Sequence, residues 1–251
     1  MTLSSLSPPL TPLTELADSL RGDGFAIVSA RDVAQIAHVD LNQLQDLNQF
    51  WEELPRDPYL RDGGRYRFRR HSSFEIKGKS LLMVPHRAHW QSVNYNALHG
   101  GIERWFEPSQ TQLTSNPAWE SLLLGLAHVL NGVKQVNTWF VEAHQFRIDT
   151  TDGIGRPTPE GAHRDGVDFV AVFLLNRVGI KGGETRIFDA GGSAGLRFTL
   201  TEPWSLLLMN DERMIHESTP IQPLGSHGFR DTLVLTFRSN GFQESPNRSQ
   251  Q

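Results

Sequence analysis

The sequence predicts a mainly β fold with helices, in which a helix-rich N-terminal part packs on a sandwich or barrel of short strands. After Gly132, strand-like runs follow one another and are separated by Gly, Pro, Asn and Asp. Before this glycine, apolar residues recur mostly at helical spacing. The 251 residues suit one domain of the larger all-β kind, and no flexible linker divides the two parts.

The helices of the N-terminal part are marked by capping residues and by regularly spaced leucines. Thr11 and Pro12 begin the first helix, which ends near two glycines. Leu41–Leu54 is predicted to be helical as well, and Asn116 begins a third helix that ends at Gly132. Between these helices, the run Phe25–Val28 predicts a strand.

The C-terminal part contains the strand predictions that define the β core. They are Thr138–Ile148, Val167–Leu175, Glu184–Phe188, Trp204–Met209 and Thr232–Phe237. We expect a single domain over residues 1–251, with a helix-rich part at 1–133, the β core at 134–242 and a flexible polar tail at 243–251.

Composition excludes several classes of function and site. The net charge of -4 and the pI of about 6.2 argue against binding to nucleic acid or to an anionic membrane. The absence of cysteine excludes disulfides, iron–sulfur clusters, thiolate zinc sites and cysteine nucleophiles. The N-terminus lacks the features of a signal peptide, and apolar runs such as Val170–Leu175 are too short to span a membrane. We therefore expect a cytoplasmic protein; no feature of the sequence indicates an oligomeric state.

A His-x-Asp motif occurs twice, and its context separates the two copies. In an extended segment residues i and i+2 point to the same face, so that His163 and Asp165 can reach one ion together. This copy lies just before a predicted strand. The other copy, His38 and Asp40, lies between helical segments and is interpreted as a surface turn.

His216 adds a third candidate ligand after the apolar strand that ends at Met209. Two imidazoles and one carboxylate suit iron(II) in a facial triad, which leaves three coordination positions for a co-substrate and oxygen. Because three-ligand catalytic zinc sites also exist, the ligands alone leave the metal open.

Arg230 opens the last strong strand, fourteen residues beyond His216. A dicarboxylate that chelates iron at one end needs a cation for its other end, and arginine offers a fork that matches a carboxylate. Thr232 faces the same side and can donate to the same carboxylate. The alternative for Arg230 is a solvated residue before a strand.

These residues resemble the iron(II)/2-oxoglutarate-dependent dioxygenases, and more narrowly the bacterial group that contains L-isoleucine 4-hydroxylase and related free amino-acid hydroxylases. The stretches that carry the resemblance are Pro159–Asp168, Gly182–Thr185, His216–Thr219, His144–Arg147 and Asn96–Phe106. The resemblance implies a double-stranded β-helix (jelly-roll) fold that uses iron(II), 2-oxoglutarate and O2, with ascorbate as a reductant in assays. It implies His163, Asp165 and His216 as metal ligands, and Arg230 with Thr232 as the 2-oxoglutarate anchor.

The activity that this resemblance implies is hydroxylation of an unactivated C–H bond of a small molecule, a free L-amino acid, with release of succinate and CO2. Related halogenases lack the carboxylate ligand, so the presence of Asp165 favours hydroxylation. Two alternatives stay open: a jelly-roll metal enzyme that does not use 2-oxoglutarate, and a non-catalytic jelly-roll binding or stress-response module.

Candidates for substrate binding are Gln145, Arg147 and Asp168. Gln145 and Arg147 share one face of a predicted strand, which we interpret as the barrel interior, although an ion pair would also explain the arginine. Asp168 lies in one of the matching stretches.

Two further features, the run Arg65–Arg70 and the pair His86 and His89, are not interpreted as catalytic sites. Arg65–Arg70 is predicted to be a solvated strand, some of whose arginines reach an anionic substrate. His86 and His89 have the spacing of a helix face, but Pro85 and the lack of a nearby carboxylate argue against a metal site.

Overall fold

The computed structural model describes residues 7–246, whose core is made of antiparallel sheets covered on one side by helices. Two 3-10 helices, Leu13–Glu15 and Asp46–Trp51, accompany the α-helices. The α-helices are α1 (Leu16–Gly22), α2 (Ala30–Ala37), α3 (Leu41–Gln45), α4 (Thr111–Thr114) and α5 (Pro117–Val133).

Twelve strands lie within the described residues. They are β1 (Phe25–Val28), β2 (Arg67–Lys77), β3 (Ser80–Met83), β4 (Thr138–Asp149), β5 (Phe169–Val178), β6 (Ile180–Gly182), β7 (Thr185–Asp189), β8 (Gly195–Phe198), β9 (Leu206–Asn210), β10 (Met214–Ser218), β11 (Ile221–Pro223) and β12 (Phe229–Arg238).

The strands form one large sheet and two small ones. The large sheet has the order β1-β9-β5-β12-β4-β2-β3, and the small sheets have the orders β10-β7-β8 and β11-β6. All of these pairings are antiparallel. This arrangement confirms the predicted mainly β jelly-roll fold.

Apolar residues pack on both faces of the large sheet. On its outer face, Trp119 and Leu126 of α5 belong to the same buried cluster as Leu233 and Leu235 of β12. On its inner face, residues of β1, β5 and β9 pack against β7, β8 and β10 of the small sheet, with Ile187 fully buried. Each such side chain stabilises the fold by about 1.5–3 kcal/mol through burial of apolar surface.

A close approach of α2 to α5 explains one glycine of the helical layer. A Cβ atom at Gly125 would lie 2.1 Å from the carbonyl oxygen of Ile36. Because no side chain fits this gap, the helix pair requires glycine at this position.

The two ends of the chain differ in part from the sequence predictions. The N-terminal part contributes β1, β2 and β3 to the large sheet as well as helices. The predicted helix Leu41–Leu54 is divided into α3 and a 3-10 helix that ends at Trp51. In the predicted flexible tail, Gln243 is instead buried and donates to the carbonyl oxygens of Asp165 and Gly166, whereas residues 247–251 lie outside the described part.

Among the described helices, none combines the length and the apolar character that crossing a membrane requires.

Candidate metal centre and its cavity

A cavity opens on the inner face of the large sheet. Alternation along β4 and β12 determines which side chains reach it. The cavity residues of these two strands, in chain order, are Glu142, His144, Phe146, Ile148, Arg230, Thr232, Val234 and Thr236. The large sheet thus supplies one wall with both charged and apolar side chains.

The opposite wall carries the three predicted metal ligands. His163 pairs with His216 through two backbone hydrogen bonds of 3.0 and 2.9 Å, and this bridge brings the two rings to a centroid distance of 4.5 Å. One carboxylate oxygen of Asp165 lies 3.9 Å from His163 Nε2, and the other lies 3.8 Å from His216 Nε2. The three side chains therefore present their donor atoms to one point, within 4.8 Å of one another.

Neighbouring groups fix the orientation of these donors. His163 Nδ1 lies 2.9 Å from the carbonyl oxygen of Gly161, to which it donates, and this leaves Nε2 free as a ligand atom. Gln91 Nε2 donates to Asp165 Oδ1 over 3.0 Å. The amide oxygen of Gln91 accepts from Arg104 and Asn96, which sets the direction of the amide group.

The segment that carries Asp165 is fastened by Asp211. Its carboxylate accepts hydrogen bonds from the backbone N–H groups of Asp165, Gly166 and Val167, over 2.9, 2.7 and 3.0 Å. Burial and the nearby charge of Asp165 raise the pKa of Asp211 to about 7. These buried hydrogen bonds form a clamp that determines the path of the chain at the predicted carboxylate ligand.

The protonation of the three side chains follows from burial and from their neighbours. Burial lowers the pKa of His163, but the charges of Asp165 and Glu160 outweigh burial and raise this pKa above its ordinary value. Burial raises the pKa of Asp165, and burial together with His163 lowers the pKa of His216. Opposite charges are thus concentrated at the point where the donor atoms meet.

On the wall of the cavity that the large sheet forms, Arg230 is a buried cation without a partner among the described residues. Its side chain is 4% exposed, and within residues 7–246 it donates no hydrogen bond and forms no ion pair. Burial and the charge of Arg177 lower its pKa to about 10, so Arg230 remains protonated at neutral pH. Thr232, two residues along β12, lines the cavity beside it. An anion is needed to compensate this charge.

Comparison with known proteins decides the family. Residues 48–236, which include all three candidate ligands and Arg230, match the model of the 2OG-Fe dioxygenase family. The chain belongs to the 2OG-Fe dioxygenase family. It is therefore a 2-oxoglutarate-dependent dioxygenase, and the cofactors of this family are iron(II), 2-oxoglutarate and O2.

Several solved structures share the fold of this chain. A bsmA homolog from Methylobium petroleophilum is 47% identical to this dioxygenase and superposes on it with a TM-score of 0.90. The match covers 95% of the present chain and 98% of the homolog's chain. IDO from Bacillus thuringiensis (19% identity, coverage of 94% and 99%, TM-score 0.74) shares the fold. So does the Fe(II)/α-ketoglutarate-dependent dioxygenase TqaL (19% identity, coverage of 93% and 88%, TM-score 0.69). Comparison with curated protein sequences gave no significant match.

The donor set of the dioxygenase fits the family's cofactors. Two imidazoles and one carboxylate form a set that suits iron(II) with open positions. The unpartnered Arg230 fits the far carboxylate of 2-oxoglutarate.

The three side chains predicted to bind substrate lie outside the cavity. Gln145 points to the helical layer, where it donates to the carbonyl oxygen of Phe50 over 3.0 Å. Arg147, on the same outer face, forms a two-pronged ion pair with Asp231 at 2.7 and 2.8 Å. Asp168 forms an ion pair with Lys134. These bonds to other parts of the protein argue against a substrate-binding role for the three side chains. On β4 the residues that face the cavity are the even-numbered ones.

Three other arginines do reach the cavity, and they form what we call the arginine cluster: Arg67, Arg69 and Arg104. Arg67 and Arg69 belong to the run Arg65–Arg70, which was predicted to be solvated. They are only 4% and 3% exposed, because every second residue of β2 faces inward. Arg104 comes from the long loop between β3 and α4, which has no periodic pattern that would reveal it.

A second group of possible ligands, the histidine–glutamate cluster, comprises His71, His89, Glu142 and His144. Glu142 accepts hydrogen bonds from His71 and His89 over 3.0 and 3.3 Å, and Arg87 lies 3.4 Å from the same oxygen. Arg69 donates to His144 Nδ1 over 2.7 Å. Because two guanidinium groups already occupy its acceptors, we interpret this cluster as a hydrogen-bond network. His86, by contrast, bonds to the carbonyl oxygen of Phe106.

We expect Asp211→Ala to destabilise the dioxygenase by roughly 3–5 kcal/mol, because three backbone N–H groups lose the buried carboxylate that accepts from them. Urea unfolding measures this change, and iron affinity should fall with it because the Asp165 segment loosens. Asp189→Ala is the matched control, since that half-buried carboxylate accepts from the N–H of Gly191 in a surface turn. Equal losses in the two variants would contradict the clamp.

The histidine–glutamate cluster predicts a loss of stability in acid. Burial lowers the pKa of His89 to about 3, despite the opposing charge of Glu142. Because the unfolded chain takes up a proton near pH 6.5 and the folded chain does not, the free energy of unfolding should fall as the pH drops below about 6.5. Removing this histidine should reduce the slope by up to about 1.4 kcal/mol per pH unit.

Urea unfolding of wild type and His89→Gln between pH 7.5 and 5 measures the difference in slope. The exposed His38 supplies the control His38→Asn, which should keep the wild-type slope. A wild-type slope in His89→Gln would show that His89 does not stay neutral in the folded protein.

Proposed function

We propose that this dioxygenase hydroxylates an unactivated C–H bond of a small molecule, a free L-amino acid, and releases succinate and CO2. The observation that carries the proposal is the convergence of His163, Asp165 and His216 in a cavity that also contains the unpartnered cation Arg230. In this assignment the first three hold iron(II). Arg230 and Thr232 hold the far carboxylate of 2-oxoglutarate.

The chain's own residues position the reactants and keep the site dry. When bound, iron(II), 2-oxoglutarate and O2 supply the oxidising chemistry of the family. Gln91 holds Asp165 in its orientation through a hydrogen bond of 3.0 Å. Phe146, Val172 and Val234 give the cavity an apolar patch that excludes water near the reacting groups.

Charge and shape favour a free amino acid as the substrate. The cavity contains the arginine cluster, which is complementary to a carboxylate. It also contains Glu160, whose Oε2 is buried and has no hydrogen-bond partner within residues 7–246, and which is complementary to an ammonium group. The apolar patch suits an aliphatic side chain. The resemblance of Pro159–Asp168 to the L-isoleucine 4-hydroxylase group points to the same class of substrate.

A mass-spectrometric screen tests this proposal. The iron-loaded dioxygenase is incubated with 2-oxoglutarate, ascorbate and each proteinogenic L-amino acid, and the products are examined for succinate and for a gain of one oxygen atom. We expect an aliphatic amino acid to gain one oxygen in step with succinate formation. Succinate without any oxidised amino acid would refute the substrate class while retaining 2-oxoglutarate turnover. Absence of both would refute the proposed function.

A further inference from the structure

The arginine cluster contains more positive charge than the protein itself compensates. Its members are between 2% and 4% exposed, so water solvates them poorly. Asp57 is the carboxylate that bonds to Arg67, at 2.7 Å, and it lies 3.9 Å from Arg69. Arg104 bonds to the neutral amide oxygen of Gln91. Among residues 7–246, the three guanidinium groups thus share one bonded carboxylate.

Each arginine of the cluster also retains an unused donor. Arg67 Nη2, Arg69 Nε and Arg104 Nε are buried and lack a hydrogen-bond partner within the described residues. Glu142, a carboxylate that lines the same cavity, already bonds to His71, His89 and Arg87. Buried N–H groups of this kind are costly unless a ligand accepts from them.

The arginine cluster lies apart from the predicted 2-oxoglutarate anchor. In the register of the sheet, Ile148 of β4 pairs with Arg67 of β2 on one side and with Arg230 of β12 on the other. Neighbouring strands are about 4.8 Å apart, so the backbones of the two arginines are about 10 Å apart. The cavity wall thus carries buried cations on both sides of β4.

A short chain of hydrogen bonds connects this cluster to the metal centre. Arg104 donates to Gln91 Oε1 over 2.9 Å, and Gln91 Nε2 donates to Asp165 Oδ1 over 3.0 Å. A small molecule held by Arg104 therefore lies one amide group away from a predicted iron ligand.

We propose that the arginine cluster binds the carboxylate of the substrate and makes a free carboxylate a requirement for turnover. This inference rests on the proposed function, and it adds the residues that select the substrate. A singly charged carboxylate fits better than a phosphate dianion, because Glu142 and Glu160 line the same cavity and would repel a second negative charge.

Thermal unfolding with matched ligands tests the inference without turnover. The wild-type protein is loaded with Mn(II), which does not support oxidation, and with 2-oxoglutarate. Each proteinogenic L-amino acid and its α-carboxamide is then titrated separately. We expect at least one aliphatic acid to raise the melting temperature with a Kd at least about thirtyfold lower than that of its amide, because the amide cannot form the charge-assisted contact.

The variant Arg104→Gln tests which residue supplies the discrimination. The acid-to-amide ratio of Kd values should fall to within about threefold of unity, and Arg104→Lys should recover part of the ratio because lysine keeps the charge without the fork. Arg31→Gln, at an exposed arginine of α2, is the matched control and should keep the wild-type ratio. The acid-to-amide ratio of Kd values compares two ligands on the same variant. A general loss of stability would therefore not change this ratio. Should Arg104→Gln fail to fold, Arg104→Lys supplies the same comparison.

Three outcomes would overturn the inference. They are equal binding of acid and amide by wild type, a wild-type ratio in both Arg104 variants, and the absence of any stabilising amino acid. Succinate formation by the iron-loaded wild type is measured in parallel. In the proposed function, succinate formation depends on the metal centre and Arg230. If acid and amide bound equally but succinate formed normally, only the carboxylate requirement would be refuted, and the dioxygenase activity would be retained.

Discussion

His163→Ala and His216→Ala should each lose iron binding and turnover, with an iron affinity reduced by about a hundredfold or more. Each histidine supplies one of three donor atoms that lie within 4.8 Å of one another, and two remaining ligands hold iron(II) poorly. Iron content after reconstitution and dialysis measures the loss, and succinate formation measures its consequence. Circular dichroism establishes that each variant is folded.

The second His-x-Asp motif provides the matched control for this experiment. His38 ends α2 in the left-handed region at a φ of 53°, so asparagine, which tolerates this conformation, is the suitable replacement. His38→Asn should bind iron and turn over as wild type does. Equal loss of iron in His38→Asn and His163→Ala would reverse our choice between the two motifs.

Arg230→Ala should keep its iron but raise the Michaelis constant for 2-oxoglutarate by about thirtyfold to a thousandfold. The loss of a charge-assisted, two-pronged contact in a buried site costs about 2–4 kcal/mol. Arg230→Lys should recover only part of this loss, because a point charge does not reproduce the fork. Initial rates of succinate formation over a range of 2-oxoglutarate concentrations give the constant.

Arg147 supplies a matched control for the arginine anchor. Arg147 lies on β4 and pairs with Asp231 of β12 on the outer face of the same sheet, away from the cavity. Arg147→Gln should leave the Michaelis constant for 2-oxoglutarate unchanged, although it lowers stability. A wild-type Michaelis constant for 2-oxoglutarate in Arg230→Ala, or a raised one in Arg147→Gln alone, would contradict the assignment of Arg230 as the 2-oxoglutarate anchor.

The features that the sequence predicts well are those that depend on residues close together in the chain. The i, i+2 spacing of His163 and Asp165 determines their shared direction wherever the segment is extended. The strand that begins near Arg230 is marked by its own β-branched and apolar residues. Capping by Asn116, whose side chain accepts from the N–H of Ala118, also follows from local chemistry.

The features that the sequence does not predict depend on partners far along the chain. Alternation shows that His144 and Gln145 face opposite sides, but it does not tell which side is the cavity. That choice follows from packing, because Gln145 bonds to Phe50, ninety-five residues earlier. In the same way, Gln91 reaches Asp165 from an irregular loop seventy-four residues away. A polar residue in such a loop gives no local sign of its role.

The most direct test of the iron and 2-oxoglutarate centre is the simultaneous measurement of succinate and oxidised amino acid for wild type and Asp165→Ala. The alanine variant keeps both histidines and opens one more coordination position, so it should still bind iron, though more weakly. We expect wild type to form the two products in equal amounts, and Asp165→Ala to form both at a small fraction of the wild-type rate. Wild-type rates of both products in Asp165→Ala would remove this carboxylate from the coordination sphere and contradict the proposed centre.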